Sequence, residues 1–200
     1  MSESIDFYFD FSSPYGYLAA ERIDGIAERH GRTVAWRPFL LGAVFQKIGG
    51  SPLVDQPMKG PYSRHDMLRS ARLHGIAFSV PDNFPVNSIA ACRAFYWLAE
   101  SDAGAAHDLA LALYRGYFTG NRDLSRPETV VEAAQALGVD GDALVAALQD
   151  QAVKDRLRVE NDQALDRGVF GSPTVFVGDE MFWGHDRLEQ IDRWLETGGW

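Results

Sequence analysis

The beginning of the chain changes its hydrophobic pattern twice. Residues 5–11 alternate apolar and polar side chains as a β-strand does, with aromatic and β-branched character. Residues 14–30 space their apolar positions as an α-helix does, with Gly31 at its expected end, and residues 33–39 alternate again. A strand, a helix and a strand of these lengths predict a right-handed βαβ unit.

The middle of the chain has a different pattern. Residues 42–62 are rich in glycine and proline and show no periodicity, which predicts a long loop. Helical spacing then returns without any strand alternation, and it predicts helices over 63–74, 87–101, 103–118, 127–136, 140–149 and 151–167.

The end of the chain returns to β character. Residues 172–177 predict a short strand, residues 178–180 a tight turn, residues 181–183 a second strand, and residues 187–196 a closing helix. A hairpin followed by a helix therefore completes the pattern.

The order of the predicted elements defines a fold class. It is β-α-β, then helices, then α-β-β-α, which predicts an α/β protein with a thioredoxin-like fold interrupted by an all-helical insertion. This arrangement resembles the DsbA-like branch of the thioredoxin superfamily. We expect residues 1–41 and 151–200 to form the thioredoxin-like domain and residues 42–150 to form the helical insertion domain.

Composition limits the kind of protein further. The chain has 200 residues, 46% of them hydrophobic and 12 of them phenylalanine, so it can bury a sizeable core. Its formal net charge of −9 argues against nucleic acid or an anionic membrane as a partner. No basic segment followed by an apolar run opens the sequence, and no apolar stretch approaches the length of a membrane span. We therefore expect a cytoplasmic protein.

Cysteine and histidine chemistry is sparse. Cys92 is the only cysteine, which excludes an intramolecular disulfide and any C-x-x-C redox or zinc motif. Cys92 lies on an apolar helical face, and we expect it to be a small buried hydrophobe. No metal site is predicted, because metal-ligand spacing is absent at His30, His65, His74 and His107.

A Ser-Ser-Pro turn, residues 12–14, joins the first strand to the first helix. Thioredoxin-like proteins usually place a redox cysteine here, whereas this chain has Ser13, with Gly16 where a second cysteine would stand. One interpretation is a helix cap, with proline at the favoured first position. The other is an anion site, in which the Ser13 hydroxyl and free backbone N–H groups stabilise a ligand's thiolate.

Two further motifs have similarly open interpretations. Pro173 either simply begins a strand or forms a cis bond after Ser172, whose backbone would then pair with an extended peptide. Asp186, after Trp183, either caps the closing helix or binds a ligand's ammonium group.

Taken together, the three motifs resemble one family. Asp-Phe-x-Ser-Pro-Tyr at 10–15, Val-Phe-Gly-x-Pro-Thr at 169–174 and Gly-Asp-Glu-Met-x-Trp-Gly-x-Asp-Arg-Leu at 178–188 resemble bacterial 2-hydroxychromene-2-carboxylate isomerases and the related kappa-class glutathione transferases. The resemblance covers essentially the whole chain and is densest at residues 5–20 and 168–188.

The resemblance implies a cofactor and a set of site residues. Glutathione would bind as a catalytic cofactor with its sulfur at Ser13, the expected catalytic residue. Its cysteinyl part would pair with Ser172 beside Pro173, and its γ-glutamyl end would be bound by Trp183, Gly184, His185 and Asp186.

The resemblance also implies a reaction and an aromatic small-molecule substrate. In the isomerases the thiolate adds to 2-hydroxychromene-2-carboxylate, the ring opens, a bond rotates, and glutathione leaves unchanged, which gives the trans-benzylidenepyruvate. The expected second-substrate residues are Lys59, Tyr62, Asn83 and Phe84, with Lys47 and Asn87 as further candidates. Phe45 and Val54 stand near the places where the isomerases have cationic substrate contacts.

Three functions remain open at this stage. The first is a glutathione-dependent cis-trans isomerase of aromatic catabolism, and the second is a kappa-class-like glutathione transferase or peroxidase. The third is a non-catalytic, thioredoxin-like protein that binds peptides. Relatives of this kind are commonly dimers, so a homodimer is compatible with the resemblance, although no interface can be identified from the sequence.

Overall fold

A four-stranded sheet in the order β2-β1-β3-β4 forms the centre of the computed structural model, which describes residues 4–200. The strands are β1 (Ile5–Phe9), β2 (Val34–Pro38), β3 (Thr174–Val177) and β4 (Glu180–Trp183). β1 pairs in parallel with β2 and antiparallel with β3, and β3 pairs antiparallel with β4. Because β1 is paired on both sides, the turn that follows it lies between the carboxyl end of β2 and the amino end of β3.

Helices account for most of the remaining chain, as the periodicity predicts. They are α1 (Pro14–Ala20), α2 (Ile23–Arg29), α3 (Leu41–Ile48), α4 (Lys59–Leu73), α5 (Ile89–Ala99), α6 (Ala103–Gly120), α7 (Pro127–Ala136), α8 (Gly141–Gln149), α9 (Gln151–Asp166) and α10 (Leu188–Thr197). Short 3₁₀ turns lie at Leu53–Asp55 and His185–Arg187. Within residues 4–200, no helix combines the length and the apolar character that crossing a membrane requires.

The single helix predicted over residues 14–30 is wrong in one respect, because it is two helices. α1 ends at Ala20, and Arg22 leaves the helical conformation with φ −131° and ψ −27°. The guanidinium of Arg22 contacts Glu189 and His74, which lie far away in the sequence. Ile23 continues the buried face across the break. The hydrophobic spacing therefore cannot reveal the interruption.

The loop predicted over residues 42–62 also contains regular structure. α3 begins within the apolar Leu40-Leu41 pair and ends at Gly49, which has the left-handed φ of 78°. Only Val44 of this helix is buried, and the Asp10 carboxylate supplies a cap by accepting from the Leu41 N–H. α4 begins at Lys59, earlier than predicted. Tertiary contacts therefore complete helices that local spacing does not indicate.

An aromatic cluster connects the sheet with the helical insertion. Phe9 and Phe11 pack on Tyr114 of α6 with ring centroids 5.6 and 5.2 Å apart, and Tyr17 of α1 stacks on Phe118 at 5.3 Å. All five side chains are 2% exposed or less. Large buried aromatic rings contribute strongly to packing, so this cluster holds α6 firmly against the turn after β1.

The same buried core contains Cys92. Its side chain is fully buried, as predicted, and burial raises the pKa of its thiol. The division at residues 41/42 and 150/151 stays a prediction, because the core runs continuously through both parts of the chain.

Candidate functional site

Ser13 begins α1 and connects it to the loop before β3. Its Oγ accepts a hydrogen bond from the Gly16 N–H at 3.0 Å and donates one to the Ser172 carbonyl at 3.0 Å. The side chain therefore caps the helix, as one interpretation of the sequence expects. The residue is 5% exposed and lines a large cavity, so the hydroxyl is held at the cavity wall.

The loop before β3 contains a cis Ser172–Pro173 peptide bond, as the second motif suggested. The Ser172 Oγ accepts from the Asp10 N–H at 2.9 Å, and the Pro173 carbonyl accepts from the Gly184 N–H at 3.0 Å. These bonds place the turn after β1, the loop before β3 and the turn after β4 side by side. Motifs separated by more than 150 positions thus form one surface.

Asp10 organises this surface; it opens the first quoted motif but is not among the predicted site residues. Its carboxylate is 3% exposed and accepts from Ser12 N–H at 2.8 Å, Ser88 hydroxyl at 2.8 Å and Leu41 N–H at 2.7 Å. Burial raises the pKa of Asp10 and outweighs these donors, which lower it. The sequence signals for this role are its place in that motif and between two phenylalanines at the end of a buried strand.

Gly16 stands where a second redox cysteine would lie, and the site leaves no room for a side chain there. A Cβ at this position would come within 2.5 Å of the Tyr114 hydroxyl and 3.0 Å of the Ser172 Oγ. The Tyr114 hydroxyl is fixed because it donates to the Asp10 carbonyl at 2.9 Å. Together with Ser13 in the first position, this packing is incompatible with a dithiol centre at the turn.

The end of β4 and the stretch after it form another part of the same cavity wall. The Trp183 side chain is half exposed and packs edge-on against Phe170. Gly184 has φ +112°, and a Cβ there would collide with the Asp186 carboxylate, so glycine is required by both the backbone and the space. The structure does not support Asp186 as a helix cap, because neither the 3₁₀ turn nor α10 has a side-chain cap. Its carboxylate pairs with Arg187 at 3.2 Å.

His185 is the buried member of this stretch. It is 8% exposed and packs against the Tyr15 ring, and among residues 4–200 its buried Nε2 has no hydrogen-bond partner. Burial lowers the pKa of His185, so the imidazole is neutral at neutral pH. The site therefore presents an uncharged ring next to the exposed carboxylate of Asp186.

The cavity has a volume of about 1360 Å³ and lies between these turns and the helices α3 and α4. The predicted residues that line it are Ser13, Ser172, Trp183, Gly184, His185, Asp186, Tyr62, Phe84 and Asn87. Pro173 is buried just behind the wall.

The predicted substrate residues Lys59 and Asn83 do not line the cavity, nor does Lys47. Asn83 is occupied elsewhere, because its amide donates to Asp123 at 3.0 Å and to Ser125 at 3.4 Å. Lys59 is exposed in the first turn of α4. These positions are close to the cavity in sequence, but the direction of each side chain depends on tertiary contacts that the sequence does not reveal.

Besides the predicted Tyr62, α4 contributes Asp66 and Arg69 to the cavity, and the sequence analysis did not indicate these two. The Tyr15 hydroxyl donates to Asp66 Oδ2 at 2.6 Å, and Arg69 Nε donates to Asp66 Oδ1 at 2.8 Å. Arg69 Nη2 also donates to the Tyr62 hydroxyl at 2.6 Å. Tyr62, Asp66 and Arg69 recur at the i, i+4, i+7 spacing of one helix face, which was the available signal.

The fold and the site define a class: a thioredoxin-like protein with a helical insertion and a serine at the position of the redox cysteine. A family model described as the DSBA-like thioredoxin domain matches residues 4–196. A solved structure from Streptomyces coelicolor that is described as a probable DsbA oxidoreductase shares the fold, with a TM-score of 0.74 at 21% identity over 97% of this chain and 88% of that chain.

Proteins with higher sequence identity to this chain define a narrower group. The 2-hydroxychromene-2-carboxylate isomerase of Pseudomonas putida is 36% identical over 191 residues, which cover 94% of this chain and 92% of that protein. A solved structure of a 2-hydroxychromene-2-carboxylate isomerase has a TM-score of 0.87 at 32% identity and covers 97% of this chain and 95% of that chain. Glutathione S-transferase kappa 2 of Caenorhabditis elegans is 28% identical, over 96% of this chain and 91% of that protein. The chain belongs to the DsbA-like thioredoxin family, in the group of the 2-hydroxychromene-2-carboxylate isomerases, and these relatives support an isomerase function.

Proposed function

We propose that this protein is a glutathione-dependent isomerase that converts 2-hydroxychromene-2-carboxylate to trans-o-hydroxybenzylidenepyruvate by reversible thiolate addition. The observation that carries the proposal is the meeting of Ser13 with the cis Ser172–Pro173 peptide at one wall of a large cavity. Relatives that are 30%, 33% and 36% identical to this chain are named 2-hydroxychromene-2-carboxylate isomerases.

The donor set of the cavity fits glutathione. Ser13 and the Ser172 backbone would hold its cysteinyl part, while Trp183, Gly184, His185 and Asp186 would hold its γ-glutamyl end. Asp186 has an exposed carboxylate that suits an ammonium group, and in the same wall the His185 Nε2 has no hydrogen-bond partner among residues 4–200. The position of Asp186 depends on the missing Cβ of Gly184.

When bound, glutathione would supply the thiolate nucleophile that adds to the substrate and is later expelled. The Ser13 hydroxyl is the group that would donate to this sulfur. The hydroxyl now donates to the Ser172 carbonyl, so its O–H bond must rotate away from that acceptor, while the Gly16 N–H continues to fix the oxygen. Holding thiol and substrate in one cavity also removes much of the entropic cost of their encounter.

A glutathione transferase is the second candidate function, favoured by the kappa-class relatives. Both functions use the same glutathione site. An isomerase regenerates glutathione and a transferase consumes it, so the amount of free thiol before and after turnover distinguishes them. A peptide-binding protein without chemistry would fail to bind glutathione even at millimolar concentration.

Ser13→Ala tests the proposal directly. Hydrogen bonds to charged groups contribute about 1.5–3 kcal/mol, so the rate of isomerisation should fall roughly 10- to 100-fold. The thiolate absorbance of bound glutathione near neutral pH should decrease in parallel. Ser101→Ala serves as the control, because its hydroxyl bonds to the Leu98 carbonyl away from the cavity, and it should keep full activity. If Ser13→Ala leaves both thiolate formation and isomerisation unchanged, the assigned role is wrong.

A further inference from the structure

The cavity needs a cation if its second substrate carries a carboxylate. Among the described residues that line it, the fixed positive charges are Arg69 and Arg187. Arg187 is adjacent to Asp186, with which it pairs, in the stretch proposed to bind glutathione. Arg69 lies on α4, in the helical insertion, and belongs to no part of that stretch. It is therefore the cation available for a second ligand.

Arg69 is held in a defined position. Its Nε and Nη2 lie 2.8 and 2.6 Å from Asp66 Oδ1, and its guanidinium lies 5.2 Å from the centre of the Tyr62 ring. Asp66 in turn accepts from the hydroxyl of Tyr15, which follows Ser13 by two positions. Arg69 is thus connected to the Ser13 turn through two hydrogen bonds, so its distance from the reacting end of the cavity is fixed.

Some hydrogen-bond donors of Arg69 and Tyr62 are unused within residues 4–200. None of the hydrogen bonds among residues 4–200 uses Arg69 Nη1, and the side chain is 48% exposed. The Tyr62 hydroxyl accepts from Arg69, which leaves its own proton to donate. Arg69 and Tyr62 therefore present two neighbouring donors, and a carboxylate has two oxygens to accept them.

Apolar residues lie beside these donors. The 3₁₀ turn that contains Leu53 and Val54 packs against the first turns of α4, and both residues line the cavity together with Phe45. Such walls suit the aromatic body of a ligand, whereas Arg69 and Tyr62 suit a charged end.

We propose that Arg69, assisted by Tyr62, binds the carboxylate of the electrophilic substrate and thereby determines substrate specificity. The inference rests on the proposed isomerase function and deepens it. Arg69 takes the role that the sequence suggested for Lys59, and it compensates for the apolar Phe45 and Val54.

The test compares an acid with its uncharged analogue. Steady-state kinetics are measured with 2-hydroxychromene-2-carboxylate and with its methyl ester, at saturating glutathione, for wild type, Arg69→Met and Arg69→Lys. We expect Arg69→Met to raise KM for the acid roughly tenfold with little change in kcat, and to leave KM for the ester unchanged. Arg69→Lys keeps the charge but loses the planar guanidinium, so its KM for the acid should lie between the values of wild type and Arg69→Met.

The matched control is Arg64→Met. Arg64 is exposed on the same helix and does not line the cavity, so both KM values should remain at wild-type level. KM for glutathione and the thermal shift that glutathione causes report whether the Arg69 variant keeps an intact site.

The possible outcomes distinguish a failure of this inference from a failure of the proposed isomerase function. If wild type neither binds glutathione nor isomerises the acid, the proposed function fails. If wild type does both and Arg69→Met affects acid and ester equally, only the role of Arg69 is overturned. A rise in KM for glutathione instead of the acid would also overturn it, because the carboxylate bound would then be that of glutathione.

Discussion

Asp10 and Gly16 show how single residues fix the turn that carries Ser13. The Asp10 carboxylate accepts from the backbone of α3 and from Ser88 at the start of α5, and its carbonyl accepts from Tyr114 of α6. Gly16 lies against the same tyrosine, and its missing side chain lets α6 approach α1. Removing one of the three donors to the buried Asp10 carboxylate, or adding a side chain at Gly16, should therefore lower the stability of the protein.

Two glycine substitutions test this close approach. Gly16→Ala should lower the free energy of unfolding by about 1–3 kcal/mol, because its Cβ would press on the fixed Tyr114 hydroxyl. Gly25→Ala is the matched control in α2, where nothing lies within 4 Å of the added Cβ. The control should raise stability by about 0.5–1 kcal/mol, since alanine favours helices more than glycine. Urea denaturation of both variants measures the difference, and equal effects would contradict the packing argument.

At the scale of elements, ionic contacts join helices that are distant in the sequence. His107 of α6 lies 2.9 Å from Asp24 of α2 and packs edge-on against Trp36 of β2. The hydrogen bond to Asp24 raises the pKa of His107, burial opposes this, and Asp108 adds to it. The folded-state pKa therefore lies above the unfolded value of about 6.5. The pair stabilises fully below about pH 6.5 and loses this contribution as the pH rises through the folded-state pKa.

His107→Gln should therefore remove a pH-dependent part of the stability. The wild-type protein should exceed the variant by roughly 0.5 kcal/mol more at about pH 6 than at about pH 8.5, a small value because the pair is partly exposed. Denaturant titrations at both pH values give this difference directly. His65→Gln, an exposed position on α4 without an ion pair among the described residues, should show no such change. If the stability difference between wild type and His107→Gln increased with pH, the predicted direction would be wrong.

The elements themselves were largely predictable from the sequence. The strands and most helices follow from periods of two and 3.6 residues that persist for a whole element. The sequence analysis did not predict α3, in which only Val44 is buried. It also did not predict the break at Arg22, because the apolar face continues on both sides of that residue. In the site, motifs with unusual turn residues were identified, whereas Asp66 and Arg69 resembled ordinary charges on a helix surface.

At the scale of the whole molecule, the cavity lies between the sheet edge and the helical insertion. The core continues from one part to the other through Phe9, Tyr17 and the aromatic residues of α6. The cavity wall is therefore built on packed elements, and a ligand that bridges both parts should stabilise the entire fold.

Glutathione should stabilise the protein measurably. At about 100 times its dissociation constant, a ligand specific to the folded state adds about 2.7 kcal/mol to the free energy of unfolding. Asp186→Asn should weaken glutathione binding roughly tenfold, because the amide replaces a charge-assisted contact to the ammonium group, and tenfold corresponds to about 1.4 kcal/mol. Thermal melts with and without glutathione report the change. Asp179→Asn, in the exposed β3–β4 turn, should leave the shift intact, and an unchanged shift with Asp186→Asn would remove that residue from the site.

The sequence by itself determined the order of strands and helices and the motifs around Ser13, Pro173 and Gly184, because each depends on local spacing or on backbone preferences of proline and glycine. The tertiary structure decided which side chains reach the cavity. It excluded Asn83, which bonds to Asp123, and brought in Asp66, which accepts from Tyr15 across 51 positions. It also placed Asp10 beside Ser88, 78 positions away. Such contacts depend on the packing of whole elements, and no local pattern in the sequence specifies them.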